Sequence, residues 1–177
     1  MNGPLDIPVF LQPKTKPYCG PTCLKMILSF HGKDILLKEL VKKLPMTSTG
    51  IDMCSMGVFL IRLGFAVTIY IDTNSTDAKN EIYKKTKPNF INKGGRLISK
   101  GITAQDIRST IAEGLPIILN VASSRYQGSG HFIVVKNICK TKITINDPGN
   151  GMRVFTIKRI MRTCRRWNSG ALIATLS

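Results

Sequence analysis

Cys19 lies at a point in the sequence where a thiol can become reactive. A thiol attacks as the thiolate, and a free cysteine at neutral pH is mostly protonated. A helical pattern starts at Cys19, Gly20 and Pro21, and His31 and Gly32 end it. The unpaired N–H groups and the dipole at the start of a helix favour a negative charge. The sequence therefore predicts Cys19 as a nucleophile.

A base and an orienting group for this thiol lie far along the chain. His131 begins a predicted strand after a glycine-rich segment, and Asp147 ends the next predicted strand. If these two strands pair as neighbours, the carboxylate lies near the imidazole and completes a set of nucleophile, base and orienter. A register shifted by one residue would place Asn146 there instead. Because Asp-Pro-Gly also suits turns, a turn-forming role alone stays open for Asp147.

Four further positions could contact a substrate. The backbone N–H of Cys19 would face the oxyanion that forms on the attacked carbonyl, and Gln12 can fold back to supply a second donor. Gly20 would let a substrate approach the backbone. Ser129 and Gly130 belong to a small, polar segment that we expect to form one lip of the substrate groove. Gln12 could equally be a plain surface amide.

Longer stretches of the sequence resemble a known family. The segment from Gln12 to Gly32 contains CGPTCLKMILSFHG, and later stretches read GLPIILNV, HFIVVKN, ITINDPGNGMRVF and WNSGALIA. In this order they resemble the bacteriocin-processing peptidases, which cleave leader peptides after a double glycine. The resemblance implies a papain-like fold with Cys19 as nucleophile and Gln12 as oxyanion-hole donor. It further implies His131 as base, Asp147 as orienter and a preference for small residues at the cleavage site.

The other cysteines and the second histidine fit structural roles better. Cys23 shares an apolar helix stripe with Ile27 and Phe30, which predicts a core position. Zinc takes about four ligands, and no second cysteine pair has the spacing of a zinc site, so neither a metal nor a cofactor is expected. His31 precedes a helix-ending glycine and is expected to cap or solvate that end. Packing roles are expected for Cys54, Cys139 and Cys164.

The net charge is unusually positive, with 26 Lys and Arg against 10 Asp and Glu, which gives +16. Such a surface either keeps a protein soluble or meets an anionic partner such as nucleic acid, an acidic membrane face or an acidic substrate. The segment Lys84–Lys100 holds six basic residues and no acidic one, which predicts an exposed loop. An exposed basic face of the last helix is expected at Lys158, Arg159, Arg162, Arg165 and Arg166. No specific nucleic-acid-binding motif accompanies the charge.

The order of elements predicts an α+β fold in a single domain over residues 1–177. Prolines make residues 1–18 an extended lead-in that carries Gln12. Residues 19–31 form the predicted nucleophile helix. Residues 116–177 form the sheet half that carries His131 and Asp147. We therefore expect N-terminal helices packed on a C-terminal antiparallel sheet.

Local signals predict the elements between and within these parts. Asp34 is expected to cap a short second helix, and Thr103 to cap a helix that ends at Glu113. The remaining predicted elements are helices over 53–63, 77–85 and 156–162 and strands over 65–71, 116–122, 131–138, 142–146 and 171–176.

Neither targeting nor membrane segments are recognisable in the sequence. Residues 1–10 lack the basic and apolar regions of a signal peptide, and no apolar run approaches the ~20 residues of a membrane span. The five cysteines are an odd number, and their spacing is not a disulfide framework. A cytoplasmic location is therefore the expectation.

Three functional hypotheses follow from these residues. The first is a cysteine peptidase that hydrolyses peptide bonds of a peptide or protein substrate through a thioester at Cys19, in leader-peptide or other limited proteolysis. The second is an acyl or peptidyl transferase on the same fold, in which an amine or thiol replaces water. The third is a non-enzymatic basic adaptor that binds an anionic partner, and it rests on the charge alone.

Overall fold

The computed structural model describes residues 4–72, 81–123, 130–167 and 170–176. In this part of the chain six helices accompany one seven-stranded sheet, which confirms the predicted α+β class. The helices are α1 Cys19–Phe30, α2 Leu37–Lys43, α3 Met53–Arg62, α4 Glu81–Asn92, α5 Ala104–Ala112 and α6 Ile157–Trp167. The strands are β1 Phe65–Tyr70, β2 Arg96–Ile98, β3 Ile117–Ala122, β4 Gly130–Cys139, β5 Lys142–Asp147, β6 Gly151–Thr156 and β7 Ala171–Leu176.

The sheet brings together strands from both halves of the sequence. Its order is β2-β1-β7-β3-β4-β5-β6, and all neighbours are antiparallel except β1 and β2, which are parallel. Five consecutive residues of β3 are buried, so both faces of the sheet are covered at this strand. Helix α6 packs against β3, while α1 packs against β4. The start of α1 therefore lies in the part of the fold that holds β4 and β5.

Helix α1 begins at Cys19, as predicted, and is held firmly in the core. Cys23, Leu24 and Ile27 are buried along it. Pro21 is tolerated because the first-turn N–H groups of a helix have no intrahelical partner. The helix ends at Phe30. Its position is therefore fixed by burial along the whole length behind Cys19.

The prediction of an exposed basic loop over Lys84–Lys100 is wrong. Helix α4 continues to Asn92, and a strand follows before Lys100. Phe90 is fully buried, and a Cβ atom placed on Gly95 would lie 2.3 Å from its ring. Tyr83 and Phe90 lie two helical turns apart and are the buried residues of α4. The prediction failed because many lysines surround this apolar stripe. Lysine is also the residue type expected on the solvent face of such a helix, so its abundance does not indicate a loop.

Two smaller differences have local causes. Asp34 does not cap α2, because the helix begins later, after Leu36, and has no side-chain cap. The Asp34 carboxylate instead pairs with Lys25 Nζ at 3.1 Å. Strand β6 is absent from the sequence prediction because its residues are exposed or half-buried and give no alternating pattern. The predicted cap at Thr103 is confirmed, and its side chain forms a capping box with Asp106.

Candidate active site

The extended lead-in is tied to the end of strand β5. The side-chain amide of buried Asn146 donates to the Ile7 carbonyl at 3.0 Å. The backbone N–H of Gln12 donates to the Pro148 carbonyl at 2.8 Å. These two bonds place Gln12 beside the turn that follows Asp147, although the sequence separates them widely.

Cys19 is the first residue of α1, and its side chain is half-buried. No side chain caps this helix start, and the first turn carries no acidic residue. The positive end of the helix dipole therefore faces the thiol with no carboxylate in that turn to oppose it. A negative charge that develops at this helix start would be stabilised by the dipole.

Gly20 is buried behind the thiol. A Cβ atom at this position would lie 2.4 Å from Ile51 Cγ2 and 3.1 Å from Met56 Sδ. Tight packing therefore accounts for glycine here. Contact between Gly20 and a substrate stays a prediction.

The pairing of β4 with β5 brings His131 to Asp147. The register sets Val134 opposite Asn146, and its continuation sets Asp147 opposite Ile133. His131 lies two residues before Ile133 and therefore on the same side of the strand. The His131 Nε2 and Asp147 Oδ1 atoms are 2.8 Å apart.

Asp147 accepts further hydrogen bonds from the turn that follows it. The Gly149 N–H donates to Oδ1 at 2.8 Å, and Asn150 Nδ2 donates to Oδ2 at 2.7 Å. Burial by itself would raise the pKa of Asp147, but the bonds from His131, Asn150 and Gly149 outweigh it and lower the pKa to about 2. The group is therefore a carboxylate throughout the neutral range.

His131 lies between this carboxylate and the Cys19 thiol. Burial would lower the pKa of His131, but hydrogen bonds to Asp147 and Cys19, together with their negative charges, raise it to about 9. Because Nε2 faces Asp147, Nδ1 is the ring nitrogen left for the sulfur. The structure thus joins His131 to Asp147 directly, and the pKa of His131 also responds to Cys19.

The alternative orienter, Asn146, makes different contacts. It is fully buried, and its amide nitrogen donates to Ile7 O and, at 3.4 Å, to Pro8 O. The imidazole contact belongs to Asp147. Asn146 instead joins the strand of Asp147 to the lead-in of Gln12.

The Gln12 side chain is half-buried, and its amide oxygen is enclosed. Among the described residues no donor reaches that oxygen. The hydrogen bonds of the fold therefore fix the Gln12 backbone more tightly than its amide group. A role for this amide in an oxyanion hole stays a prediction.

The predicted groove lip falls mostly outside the described residues, and Ser129 lies there. Gly130 is described and begins β4. A Cβ atom on Gly130 would lie 2.4 Å from Trp167 Nε1 and 2.6 Å from Asn120 Oδ1. Packing thus accounts for this glycine as well, and substrate contacts at both positions stay predictions.

The remaining cysteines divide into buried and exposed thiols. Burial raises the pKa of Cys23 well above its ordinary value and raises the pKa of Cys54 and Cys164 to about 12. These three fit the expected packing roles. Cys139 is exposed at the end of β4, so its predicted packing role is wrong.

His31 lies at the opposite end of α1 from the site. It is the C-cap residue, as expected, and its ring packs edge-on between Phe30 and Phe65 at centroid distances of 5.0 and 5.1 Å. Burial lowers the pKa of His31, with a smaller contribution from Lys33. These contacts give His31 a structural role.

Sequence reasoning missed Asn150 and gave Asn146 a different role, as an alternative orienter. Asn150 holds the second carboxylate oxygen of Asp147, and Asn146 holds the lead-in. The Asp-Pro-Gly-Asn turn was a usable signal for Asn150, because an Asx side chain often bonds within such a turn. Nothing in the sequence around Asn146 indicates its distant partner.

Within the described ranges no three His, Cys, Asp or Glu side chains gather into a group that could hold a metal ion. None of the helices described there has the length and apolarity needed to cross a bilayer.

Comparisons with known proteins indicate a family and a fold for this chain. A sequence model described as the Peptidase_C39 like family matches residues 4–169. The fold is similar to a double glycine motif protease from an AMS/PCAT transporter, solved with its leader peptide, at TM-score 0.65 and 18% identity over 100% of this chain and 96% of that one. It is also similar to the peptidase domain of Streptococcus ComA, a bi-functional ABC transporter, at TM-score 0.60 and 16% identity over 96% and 98%. These likenesses confirm the predicted papain-like fold. No curated protein matches the chain.

Proposed function

Because the chain belongs to the Peptidase_C39 like family, we propose that it is a cysteine peptidase that hydrolyses peptide bonds through a thioester at Cys19. The observation that carries the proposal is the 2.8 Å contact of His131 Nε2 with Asp147 Oδ1, on an imidazole whose pKa is also raised by Cys19. Residues 1–177 act as one peptidase domain in this proposal. Family membership agrees with the resemblance read from the sequence.

The proposed nucleophile is prepared before substrate arrives. His131 holds the thiol proton, and the resulting imidazolium lies between the Asp147 carboxylate and the Cys19 thiolate. The start of α1 stabilises the same negative sulfur. Asp147 fixes the ring orientation, and its bonds from Gly149 and Asn150 keep it ionised.

In the first half of the reaction the Cys19 sulfur attacks the scissile carbonyl carbon. A C–S bond forms, and the carbonyl oxygen becomes an oxyanion that accepts hydrogen bonds from the Cys19 backbone N–H and the Gln12 side-chain amide. The oxyanion then collapses and the C–N bond breaks. His131 gives its proton to the leaving amine, which leaves a thioester on Cys19.

In the second half a water molecule attacks the thioester carbon. Neutral His131 takes the water proton, a second oxyanion forms in the same place, and the C–S bond breaks. The products are a carboxylic acid and the thiolate of Cys19 beside a protonated His131. The resting pair is thereby restored.

The proposed substrate is a peptide segment cleaved at a limited number of sites. Support comes from the double glycine motif protease of similar fold, which was solved with a leader peptide. We carry its preference to this chain as a proposal, with small residues on the acyl side of the cleaved bond. Bulky residues there should be cleaved much more slowly.

The test measures hydrolysis of fluorogenic peptides that end in Gly-Gly or in a bulky pair before the reporter. Cys19→Ala should lose all hydrolysis, because the variant lacks the proposed nucleophile. Cys139→Ala is the matched control, since it removes an exposed thiol far along the sheet. Acid quenching of the wild-type reaction should trap the acyl group on the peptide that contains Cys19.

Full activity in Cys19→Ala would overturn the proposal. So would an acyl adduct on any other residue. A wild-type protein that cleaves only bulky sequences would refute the substrate preference and leave the peptidase assignment intact.

A further inference from the structure

The C-terminal part of the chain carries a one-sided charge that the proposed chemistry does not use. Residues 114–177 contain ten Lys and Arg and a single acidic residue, Asp147, whose carboxylate bonds His131. Arginine is concentrated there as well. Of the nine arginines in the chain, five fall between Arg153 and Arg166.

Helix α6 presents most of this charge on one side. We name the set the arginine ridge, and its members are Arg153, Lys158, Arg159, Arg162, Arg165 and Arg166. All six are exposed. The buried residues of α6 are Ile160, Met161 and Cys164. Lys158 and Arg166 are about 12 Å apart along the helix axis, so the ridge extends over about two turns of α6.

Part of the ridge is ordered by an aromatic ring. The Arg153 and Arg159 guanidinium carbons lie 5.1 and 4.7 Å from the centroid of the Phe155 ring. Stacking of this kind holds a guanidinium in place and leaves its N–H groups facing outward. No ridge residue forms an ion pair within the ranges that the structure describes.

The chemistry of the ridge favours phosphate. Arginine binds phosphate with two parallel N–H bonds, and it outnumbers lysine five to one here. A membrane-bound helix would need a free apolar face, but the apolar face of α6 is buried. Met152 and Val154 are exposed, yet they alternate with Arg153 in β6 and therefore point to the other side of the strand.

We propose that the arginine ridge binds the phosphate backbone of double-stranded nucleic acid without regard to base sequence. A duplex carries about one charge per 1.7 Å of its axis, so several phosphates lie within the length of the ridge. Single strands usually require exposed aromatic rings for stacking, and Phe155 is already covered by two guanidinium groups. The proposal is independent of the peptidase assignment.

The experiment titrates the whole 177-residue chain against a fluorescent DNA duplex of mixed sequence between roughly 50 and 200 mM salt. With about five phosphates neutralised, log K should fall against log salt with a slope of about −4 to −5. The variant Arg159→Gln/Arg162→Gln/Arg166→Gln should make the slope shallower by about 3 and weaken binding at least tenfold. A duplex of unrelated sequence should bind equally well.

The control variant, Lys38→Gln/Lys42→Gln/Lys85→Gln, removes the same net charge from exposed positions on α2 and α4. It should keep the wild-type slope. Equal losses of duplex affinity in both triple variants would overturn the proposal, because binding would then follow net charge alone. Binding to phosphatidylserine vesicles at physiological salt with no binding to the duplex would overturn it in favour of a membrane. Thermal unfolding of each variant reports that it is folded.

Discussion

Asn146 and Ile7 are joined by a side-chain to backbone hydrogen bond of 3.0 Å, across 139 positions of the sequence. Asn146 precedes Asp147 by one residue, and Ile7 precedes Gln12 by five. It therefore couples the position of the proposed oxyanion donor to the strand that orients the proposed base. The adjacent bond from the Gln12 N–H to the Pro148 carbonyl closes the same connection.

Replacing Asn146 with alanine should weaken transition-state binding as well as the fold. The change leaves the buried Ile7 carbonyl without its donor, which costs about 1–3 kcal/mol in the free energy of unfolding. It also releases the lead-in, so affinity for a peptide aldehyde, whose adduct carries an oxyanion, should fall at least tenfold. Urea unfolding and aldehyde inhibition constants are the two measurements.

Gln12→Ala provides the comparison for this prediction. It should lower kcat by about 10²–10³ through loss of one oxyanion donor and leave the iodoacetamide reaction rate of Cys19 unchanged. The double variant should lose little more aldehyde affinity than Gln12→Ala alone, because both changes remove the same interaction. Additive losses would show that Asn146 affects aldehyde binding independently of Gln12. An unchanged aldehyde affinity in Asn146→Ala would show that Asn146 acts only on stability.

The pKa of His131, raised to about 9, predicts a specific pH dependence of stability. The folded state holds the imidazole proton more tightly than the unfolded state, whose histidine has a pKa of about 6.5. This contribution is therefore fully present below pH 6.5 and is lost as pH rises through about 9, with a slope of at most about 1.4 kcal/mol per pH unit. Denaturant unfolding of the wild type and His131→Gln at several pH values measures it.

The difference in stability between these two proteins should shrink from pH 6 to pH 9.5. Cys19→Ala should lower the pH at which this stability contribution is lost, because one of the interactions that raise the pKa of His131 is gone. Asp147 acts in the opposite range. Its pKa of about 2 gives stability that is present above about pH 3.9 and is lost toward pH 2. A constant difference between the wild type and His131→Gln across the alkaline range would contradict the ion pair.

The helix start at Cys19 and the strands of His131 and Asp147 could be predicted from sequence because each depends on local signals. Gly-Pro marks the first turn of α1, and short β-branched runs mark β4 and β5. The two strands are close in sequence, so their pairing was a natural assumption. The choice between Asn146 and Asp147 was not local, since it depends on a register that only the folded sheet fixes.

Other features depend on contacts between distant segments and could not be predicted in this way. The parallel pairing of β1 with β2 joins strands separated by α4. The Asn146 amide meets a carbonyl near the N-terminus. Strand β6 is stabilised by pairing with β5 and not by its own composition. Exposure of Cys139 follows from its place at the end of β4, which hydrophobicity alone does not reveal.

The cysteines should differ sharply in reactivity toward iodoacetamide. Cys139 is exposed and Cys19 is half-buried, whereas Cys23, Cys54 and Cys164 are buried and their pKa values are raised. At neutral pH the folded protein should therefore carry label on two residues, with Cys19 labelled first. Peptide mapping by mass spectrometry after brief labelling measures this order.

His131→Gln provides the control for the labelling order. It should slow the reaction of Cys19 by at least tenfold, because Cys19 interacts with the imidazole. It should leave the reaction of Cys139 unchanged, because Cys139 lies at the other end of β4 from His131. Faster labelling of Cys139 than of Cys19 in the wild type would contradict the activation of Cys19. Labelling of all five cysteines would indicate that the protein had unfolded.

Phe90 should be essential to stability although it lies in a segment crowded with lysines. Its side chain is fully buried and packs against Gly57 and Gly95, so Phe90→Ala should reduce the free energy of unfolding by about 3–5 kcal/mol. Ile91→Ala is the matched control, since its neighbouring side chain is 45% exposed and should cost at most about 0.5 kcal/mol. Equal small effects of the two substitutions would support the sequence prediction of an exposed loop. A large difference in unfolding free energy requires α4 to be packed on the core.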